Sequence, residues 1–241
     1  MMKVFKLFSG RFVMVPIIAA MLLIVSCNKN DDNNNRGPVA GLMTFNLAPD
    51  QENVAFTISN NYLGNSTLGY TSYSGSYLPI YVGDREVRSL NYSTGSTLAI
   101  AQKTFLDSNY YSVFLLGYKG GYRNTITTDT LAKLAASPGK AWVRYVNAIA
   151  DSTVTSTVNI ADGSETTINE SAAYGAVSGF KQVSAGTVST AINSSAFSTT
   201  RDINLEENKV YTVLFVGDPT LPSDEVKKVQ VKFIVNGTLT P

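Results

Sequence analysis

The chain repeats itself at a spacing of about 100 residues, and this repeat limits its possible folds more than any other feature of the sequence. Asn-Leu-Ala-Pro-Asp at 46–50 matches Asn-Ala-Ile-Ala-Asp at 147–151, an offset of 101. Tyr-Ser-Val-Phe-Leu-Leu-Gly at 111–117 matches Tyr-Thr-Val-Leu-Phe-Val-Gly at 211–217, an offset of 100. A third, looser match between these two pairs aromatic residues of the copies: Tyr73 and Tyr77 with Tyr174 and Phe180. Matches in the same order predict two copies of one module of about 100 residues, the commonest domain size.

The boundary between the two copies is predicted at 137–139, where Ser-Pro-Gly is typical of a turn. The first module is therefore expected at 39–137 and the second at 138–241. One short helix is expected just before the boundary, from Asp129, which can cap its N-terminus, to Ala136.

Both copies are rich in Val, Thr, Tyr, Ser and Ile, with turn residues at short intervals, as expected for strands. Apolar and mostly polar residues alternate in 228–235, which predicts a strand with one face on a core. The segment 210–216 is apolar on both faces apart from Thr212, which is typical of a central strand, and 110–116 is its counterpart. The sequence therefore predicts an all-β fold of two tandem antiparallel β-sandwich modules.

Residues 1–26 have the features of a lipoprotein signal peptide. Three basic residues precede an uncharged apolar run of 14 residues at 12–25, which is shorter than the roughly 20 residues of a membrane-spanning helix. The run ends in Ile-Val-Ser-Cys, which resembles a bacterial lipobox. This resemblance implies cleavage before Cys27 and acylation of that residue by several chains, a permanent anchor in membrane lipid. The alternative is an ordinary signal peptide with a stray cysteine.

Residues 27–38 are predicted to be the lipidated cysteine and a disordered tether, because 28–35 contains no apolar residue. The Lys-x-Asp-Asp pattern at 29–32 resembles the export signal of surface lipoproteins in Bacteroidota. We therefore expect an outer-membrane location, facing outward. A periplasm-facing protein with an uninformative linker is the open alternative.

The composition excludes several functions. The chain has no His and a single Cys, which rules out His-based triads, His metal sites, internal disulfides and thiolate metal clusters. A formal net charge of +1 argues against nucleic acid as a partner. The carboxylates are scattered, and Asp162-Gly163 fits a hairpin turn better than a calcium loop. We expect no enzyme activity, no metal and no cofactor.

The second copy resembles the tandem lipoproteins of the domain-of-unknown-function 4397 family of Bacteroidota. The resemblance rests on Trp-Val-Arg-Tyr-Val-Asn-Ala-Ile-Ala-Asp at 142–151, Tyr-Gly-Ala-Val-Ser-Gly-Phe at 174–180, and the strand at 211–217. The first copy is divergent, and Arg144 has no basic counterpart there. The resemblance implies immunoglobulin-like β-sandwich modules and a location in the envelope, but no established activity.

Tyrosines are concentrated in the first copy, where ten of the 13 lie between Tyr62 and Tyr122. Alternation along 77–82 places Leu78, Ile80 and Val82 on one face, and would place Tyr73, Tyr77 and Tyr81 on the other if the strand continues. Such a surface ladder of phenol rings could stack on sugars or contact a protein. The alternative is that these rings pack under a loop, against the other sheet, or against the second copy.

The Gly-rich turn at 118–123 could present Tyr118 and Arg123 to a ligand, or could be a plain hairpin turn. Taken together, these features predict a non-catalytic binding or adhesion module for a glycan or a partner protein. Its candidate ligand residues are Tyr73, Tyr77, Tyr81, Tyr118 and Arg123. The competing prediction is a structural accessory subunit of an envelope complex, with no small ligand.

Overall fold

The computed structural model describes residues 37–151, 154–163, 165–221 and 225–240. The signal peptide, the acylation of Cys27 and most of the tether were predicted for residues 1–36, which lie outside these ranges. The first eight strands are β1 (Val39–Asn46), β2 (Val54–Ile58), β3 (Asn61–Tyr62), β4 (Leu78–Tyr81), β5 (Gly83–Asn91), β6 (Thr97–Phe105), β7 (Tyr110–Leu116) and β8 (Arg123–Asp129). The next eight are β9 (Lys140–Ile149), β10 (Ser156–Asp162), β11 (Glu165–Ala172), β12 (Lys181–Ser184), β13 (Gly186–Asn193), β14 (Ser198–Leu205), β15 (Lys209–Gly217) and β16 (Gln230–Thr238).

The strands form four sheets of four strands each, and the second eight strands repeat the arrangement of the first eight. The first module has the sheets β4-β1-β7-β8 and β3-β2-β5-β6, and the second has β12-β9-β15-β16 and β11-β10-β13-β14. The all-β, two-module fold predicted from the repeat is therefore confirmed.

One strand pair in each module departs from the predicted antiparallel arrangement. The first and seventh strands of each copy, β1 with β7 and β9 with β15, are hydrogen-bonded in parallel. All other strand pairs that the structure describes are antiparallel. A parallel pair needs a long connection, and here five intervening strands provide it. Alternation within one strand carries no information about this pairing.

Three apolar cores stack through the molecule. One core fills the sandwich of the first module, and one fills that of the second. A third, called here the middle core, lies between the modules and combines Met43, Phe45 and Phe114 of the first with Val146 and Leu214 of the second. The sheets β4-β1-β7-β8 and β12-β9-β15-β16 therefore face each other, and both of their surfaces are covered. This explains why 210–216 is apolar on both faces.

The predicted helix from Asp129 to Ala136 is wrong. Asp129 is the last residue of β8, and only Leu131–Lys133 forms a single 3-10 turn with no side-chain cap. A helix of two turns is marginal by itself, and the Asp129 carboxylate is engaged elsewhere. The segment between β8 and β9 is instead held by the Trp142 indole, whose N–H donates to the Ala135 carbonyl at 3.0 Å.

Candidate functional site

The three tyrosines predicted to form a ladder do not share one exposed face. Tyr73 stacks on Phe45 with ring centroids 5.6 Å apart, and both Tyr73 and Tyr77 pack against the middle core. Tyr81 alone is on the surface, with 69% of its area exposed. The strand β4 begins only at Leu78, so the alternation assumed for Tyr73 and Tyr77 does not continue through them. Packing against the second copy, the stated alternative, is what the structure shows for these two rings.

Tyr118 and Arg123 also contact the second module. The Arg123 guanidinium donates to the Tyr174 carbonyl at 2.8 Å and lies 4.6 Å from the centroid of the Tyr174 ring. A Cβ atom on Gly175 would collide with this guanidinium, so the Tyr-Gly dipeptide of the second copy suits its close approach. The Tyr118 hydroxyl lies near the carboxylate of Asp218, a buried residue of the second module. The hairpin between β7 and β8 therefore joins the modules rather than presenting these two side chains freely to solvent.

A buried ion pair crosses the middle of the molecule. Arg144 is 1% exposed and Asp129 is 4% exposed. The guanidinium donates to both carboxylate oxygens, through Nη1 to Oδ1 and through Nη2 to Oδ2 at 3.2 Å. It also donates through Nη2 to Ser112 Oγ at 2.8 Å and through Nε to Thr212 Oγ1 at 2.9 Å. Every charged group is thus paired, which is the condition for burying an ion pair without a large penalty.

Neutral groups from both modules complete this network. The hydroxyls of Tyr77 and Ser112 each donate to Asp129 Oδ2 at 2.6 Å. Thr212 donates to Asn236 Oδ1 at 2.6 Å, and the Asn236 amide donates to the Tyr77 hydroxyl at 3.4 Å. Aromatic rings also flank the guanidinium: Phe114 and Phe180, with centroids at 5.6 and 4.6 Å. We call Arg144, Asp129, Tyr77, Ser112, Thr212 and Asn236 the inter-module network.

Sequence reasoning missed the roles of Arg144 and Asp129. The sequence patterns identify Arg144 only as part of a family motif and Asp129 only as a helix cap. The available signal was a basic residue in the middle of a strand, flanked on both sides by apolar and aromatic residues at 141–143 and 145–146. The strand register places Met43 at the corresponding position of the first module, because Met43 pairs with Ser112 as Arg144 pairs with Thr212.

Alkaline pH should destabilise the fold through buried tyrosines. Burial, followed by a hydrogen bond to Glu170 and the charge of that residue, raises the pKa of Tyr145 from 10.0 to about 12. Burial and the neighbouring Asp129 also raise the pKa of Tyr77. A pKa raised by folding stabilises the folded state below the unfolded pKa, and that contribution is lost as the pH rises through the folded pKa. We expect the free energy of unfolding, measured with urea from pH 8 to 12, to fall above about pH 10. Tyr145→Phe should lessen that fall relative to the parent, and an identical fall in both proteins would contradict the assignment.

The exposed aromatic rings lie elsewhere on the first module. Tyr62, at the end of β3, is 62% exposed, and Tyr92, just after β5, is 60% exposed. Their ring centroids are 6.4 Å apart and their planes are inclined by 71°. Together they line an open groove of about 540 Å³, which we call the Tyr62–Tyr92 groove. Its other lining residues are Ala55, Leu63, Gly64, Asn65, Ser66 and Thr67.

Two acidic side chains stabilise the fold by accepting hydrogen bonds from the backbone. The Asp50 carboxylate accepts the Lys119 backbone N–H at 2.8 Å and the Tyr122 hydroxyl at 2.6 Å. Asp162 accepts the Ser184 backbone N–H at 2.8 Å, and this hydrogen bond lowers the pKa of its carboxyl. No group of three or more Cys, Asp or Glu side chains in the described ranges could hold a metal ion. The same ranges contain no helix long and apolar enough to span a bilayer.

Comparisons with solved structures and with family models both find matches. One such structure is that of a candidate cell adhesion protein from Bacteroides eggerthii, 9% identical, with a TM-score of 0.26. That match covers 84% of this chain and 97% of the other, and a likeness at this level carries no inference about function. No curated protein matches the chain. Residues 141–233, which span most of the second module, match the family model described as domain of unknown function 4397, and this confirms the resemblance drawn from the motifs of the second copy.

Proposed function

We propose that the protein is a lipid-anchored surface protein of the outer membrane, with a non-catalytic folded part that binds a glycan or a protein partner. The acyl anchor would be carried by Cys27, and the tether would separate the folded part from the bilayer. The proposal for the anchor rests on the lipobox-like sequence around Cys27.

The observation that carries the binding proposal is the uneven distribution of exposed apolar side chains. Among the described residues, seven of the nine large apolar side chains that are exposed belong to the first module: Val39, Tyr62, Tyr81, Tyr92, Ile100, Leu106 and Tyr110. Two tyrosines of this set are grouped in one groove. Exposed apolar surface that is grouped and rimmed by polar residues is typical of interaction sites. The first module therefore has the surface suited to a partner. The second module packs against the first through the middle core.

The competing function is a structural accessory subunit of an envelope complex. The packing of Tyr73 and Tyr77 against the middle core favours it, because these rings then stabilise the contact between the modules. The exposure of Tyr62 and Tyr92 favours binding instead.

Adhesion of whole cells tests the proposal. Cells that express the full chain should adhere to at least one member of a panel of immobilised polysaccharides and envelope proteins, and cells without the gene should not. Cys27→Ser should abolish this adhesion and release the protein into the aqueous phase of a detergent partition, because the acyl anchor is lost. The released variant should still bind the same panel member in solution. Equal adhesion of both kinds of cell to the whole panel would contradict a binding role and favour the accessory one.

A further inference from the structure

The Tyr62–Tyr92 groove has the composition of a site for an uncharged ligand. Its lining contains no Asp, Glu, Lys or Arg side chain. The polar groups on its wall are the amide of Asn65 and the hydroxyls of Ser66 and Thr67, which can both donate and accept hydrogen bonds. Because a charged ligand would find no counter-charge there, the groove suits a neutral molecule with many hydroxyl groups.

The two rings present a corner rather than a flat surface. Their planes are inclined by 71° at a centroid distance of 6.4 Å. A sugar ring can lay its C–H face on one phenol while its edge meets the other, so that apolar area is buried and the hydroxyls remain free for the polar wall. A volume of about 540 Å³ is in the range of small-molecule sites and exceeds what one monosaccharide needs. The groove is also open to solvent, as it must be to bind sugar rings in the middle of a polysaccharide chain.

The backbone behind each ring is fixed by hydrogen bonds. Tyr62 follows a two-residue hairpin turn in which Ser59 and Asn60 have φ values of 46° and 68°, and the next residue, Leu63, donates to the Phe56 carbonyl at 2.8 Å. The Tyr92 N–H donates to the Asn53 carbonyl at 2.8 Å. A ring on a fixed backbone loses little conformational entropy on binding, since only its two side-chain torsions must be ordered.

The second module serves as an internal comparison. The strands β10 and β11 correspond to β2 and β3 in the repeat, and neither contains an aromatic residue. The strand β13 corresponds to β5, and the residue that follows it is Ser194 where Tyr92 follows β5. Because the two copies share one strand order, the fold itself does not require rings at these positions. The aromatic corner is therefore a feature that the first module has in addition to its fold.

We propose that the Tyr62–Tyr92 groove binds a neutral glycan, with pyranose rings stacked on the two phenols and their hydroxyls bonded by Asn65, Ser66 and Thr67. This inference rests on the proposed binding function and assigns its ligand class and its residues. It moves the carbohydrate site from Tyr73 and Tyr77, which are packed between the modules, to rings that are free to stack.

Affinity electrophoresis of residues 37–241 tests the assignment. This part of the chain contains all three apolar cores and forms one compact unit. The probes are soluble neutral polysaccharides in the gel: mannan, xyloglucan, laminarin, glycogen and galactomannan, with a sulfated dextran as the charged comparison. Isothermal titration with the hexaose of any positive polymer would then give the dissociation constant. We expect one or more neutral polymers to retard the protein and the sulfated one to have no specific effect.

Three variants identify the face that binds. Tyr62→Ala and Tyr92→Ala should each weaken binding several-fold, and the double variant should weaken it at least about tenfold, because each ring contributes its own stacking contact. Tyr62→Trp should bind the glycan at least as tightly as the parent does, since an indole ring offers a larger face for stacking. Tyr81→Ala removes an exposed ring outside the groove and should leave binding unchanged. Equal urea midpoints of parent and variants would show that folding is preserved, as expected for exposed side chains.

The outcomes separate this inference from the proposed function. Binding that is insensitive to Tyr62 and Tyr92, or lost instead in Tyr81→Ala, would overturn the assignment of the groove. If no neutral polysaccharide binds but expressing cells adhere to an immobilised protein, the assignment of a glycan ligand would be overturned and the proposed binding function would stand. Failure of both assays would overturn the two proposals together.

Discussion

Arg144→Met should lower the free energy of unfolding by about 3–5 kcal/mol, because it leaves the Asp129 carboxylate buried between the modules without its cation. Methionine is the residue at the corresponding position of the first module, Met43, so its size and shape suit the middle core. The lower stability would therefore come from the unpaired Asp129 carboxylate rather than from a cavity. Urea unfolding of residues 37–241, followed by circular dichroism, measures it.

A double-mutant cycle separates the charge from the packing. Asp129→Leu alone should also be strongly destabilising, because it leaves the Arg144 guanidinium buried without its anion. In the double variant both charges are gone, and we expect it to cost less than the sum of the two single changes by at least about 2 kcal/mol. Additive costs would contradict a direct pairing of the two residues.

The control is an ion pair of the same chemistry that is partly exposed to solvent. Arg88 pairs with Glu86 on β5, where the two side chains are 35% and 26% exposed. Arg88→Met should cost less than about 1 kcal/mol, since water solvates the Glu86 carboxylate when its partner is removed. A loss in Arg144→Met no larger than that in Arg88→Met would show that the inter-module network contributes little to stability.

The network also bears on the function of the molecule. It joins β8 of the first module with β9, β15 and β16 of the second, and the middle core surrounds it. The proposed acyl anchor would therefore hold both modules as one unit, since Gly37–Pro241 is compact as a whole. A ligand bound by the first module, as proposed, would transmit any tension through this joint.

The fold class could be predicted from the sequence because its signals are local or repetitive. Alternation and apolar runs identify strands one at a time, and the offset near 100 shows that the strands come in two sets. The same apolar runs also carry information about how the two modules pack. A strand such as β15, apolar on both faces, must be covered twice, and in a two-layer sandwich only one side is covered. The pattern of 210–216 therefore already indicated that the modules pack face to face.

The site could not be predicted because it depends on contacts between distant parts of the chain. Tyr62 and Tyr92 are far apart in sequence and belong to different hairpins, and only the pairing of β2 with both β3 and β5 brings them together. The predicted ladder failed for the converse reason, since alternation was extended through residues that precede the start of β4. Arg144 and Asp129 lie in neighbouring segments, but only the packing of one module on the other buries both charges.

Gly217→Ala should lower the free energy of unfolding by about 3 kcal/mol, which makes it the second large effect that we expect. Gly217 ends β15 with a φ of 130°, a backbone conformation that residues with a side chain rarely adopt. A Cβ atom there would also lie 2.6 Å from the Cα of Val229 and still closer to the Lys228 carbonyl, both of them backbone atoms that cannot rotate away. The cost therefore combines backbone strain of about 1–3 kcal/mol with a steric term of similar size.

The repeat supplies a second test of the same cause. Gly117 is the equivalent residue of the first module, with a φ of 131°, and its Cβ would lie 2.6 Å from the Cα of Tyr122. Gly117→Ala should thus cost about as much as Gly217→Ala, which explains why a glycine follows β7 directly and another ends β15. Gly139, with a φ of 68° and no heavy atom near its Cβ position, isolates the backbone term, and Gly139→Ala should cost about 1 kcal/mol. Gly179 has neither constraint, so Gly179→Ala should change stability by less than about 0.5 kcal/mol. Urea unfolding should give the largest and similar losses of stability for Gly217→Ala and Gly117→Ala, a smaller loss for Gly139→Ala and the smallest for Gly179→Ala. A loss for Gly217→Ala no larger than that for Gly139→Ala would show that the backbone at the end of β15 moves aside freely.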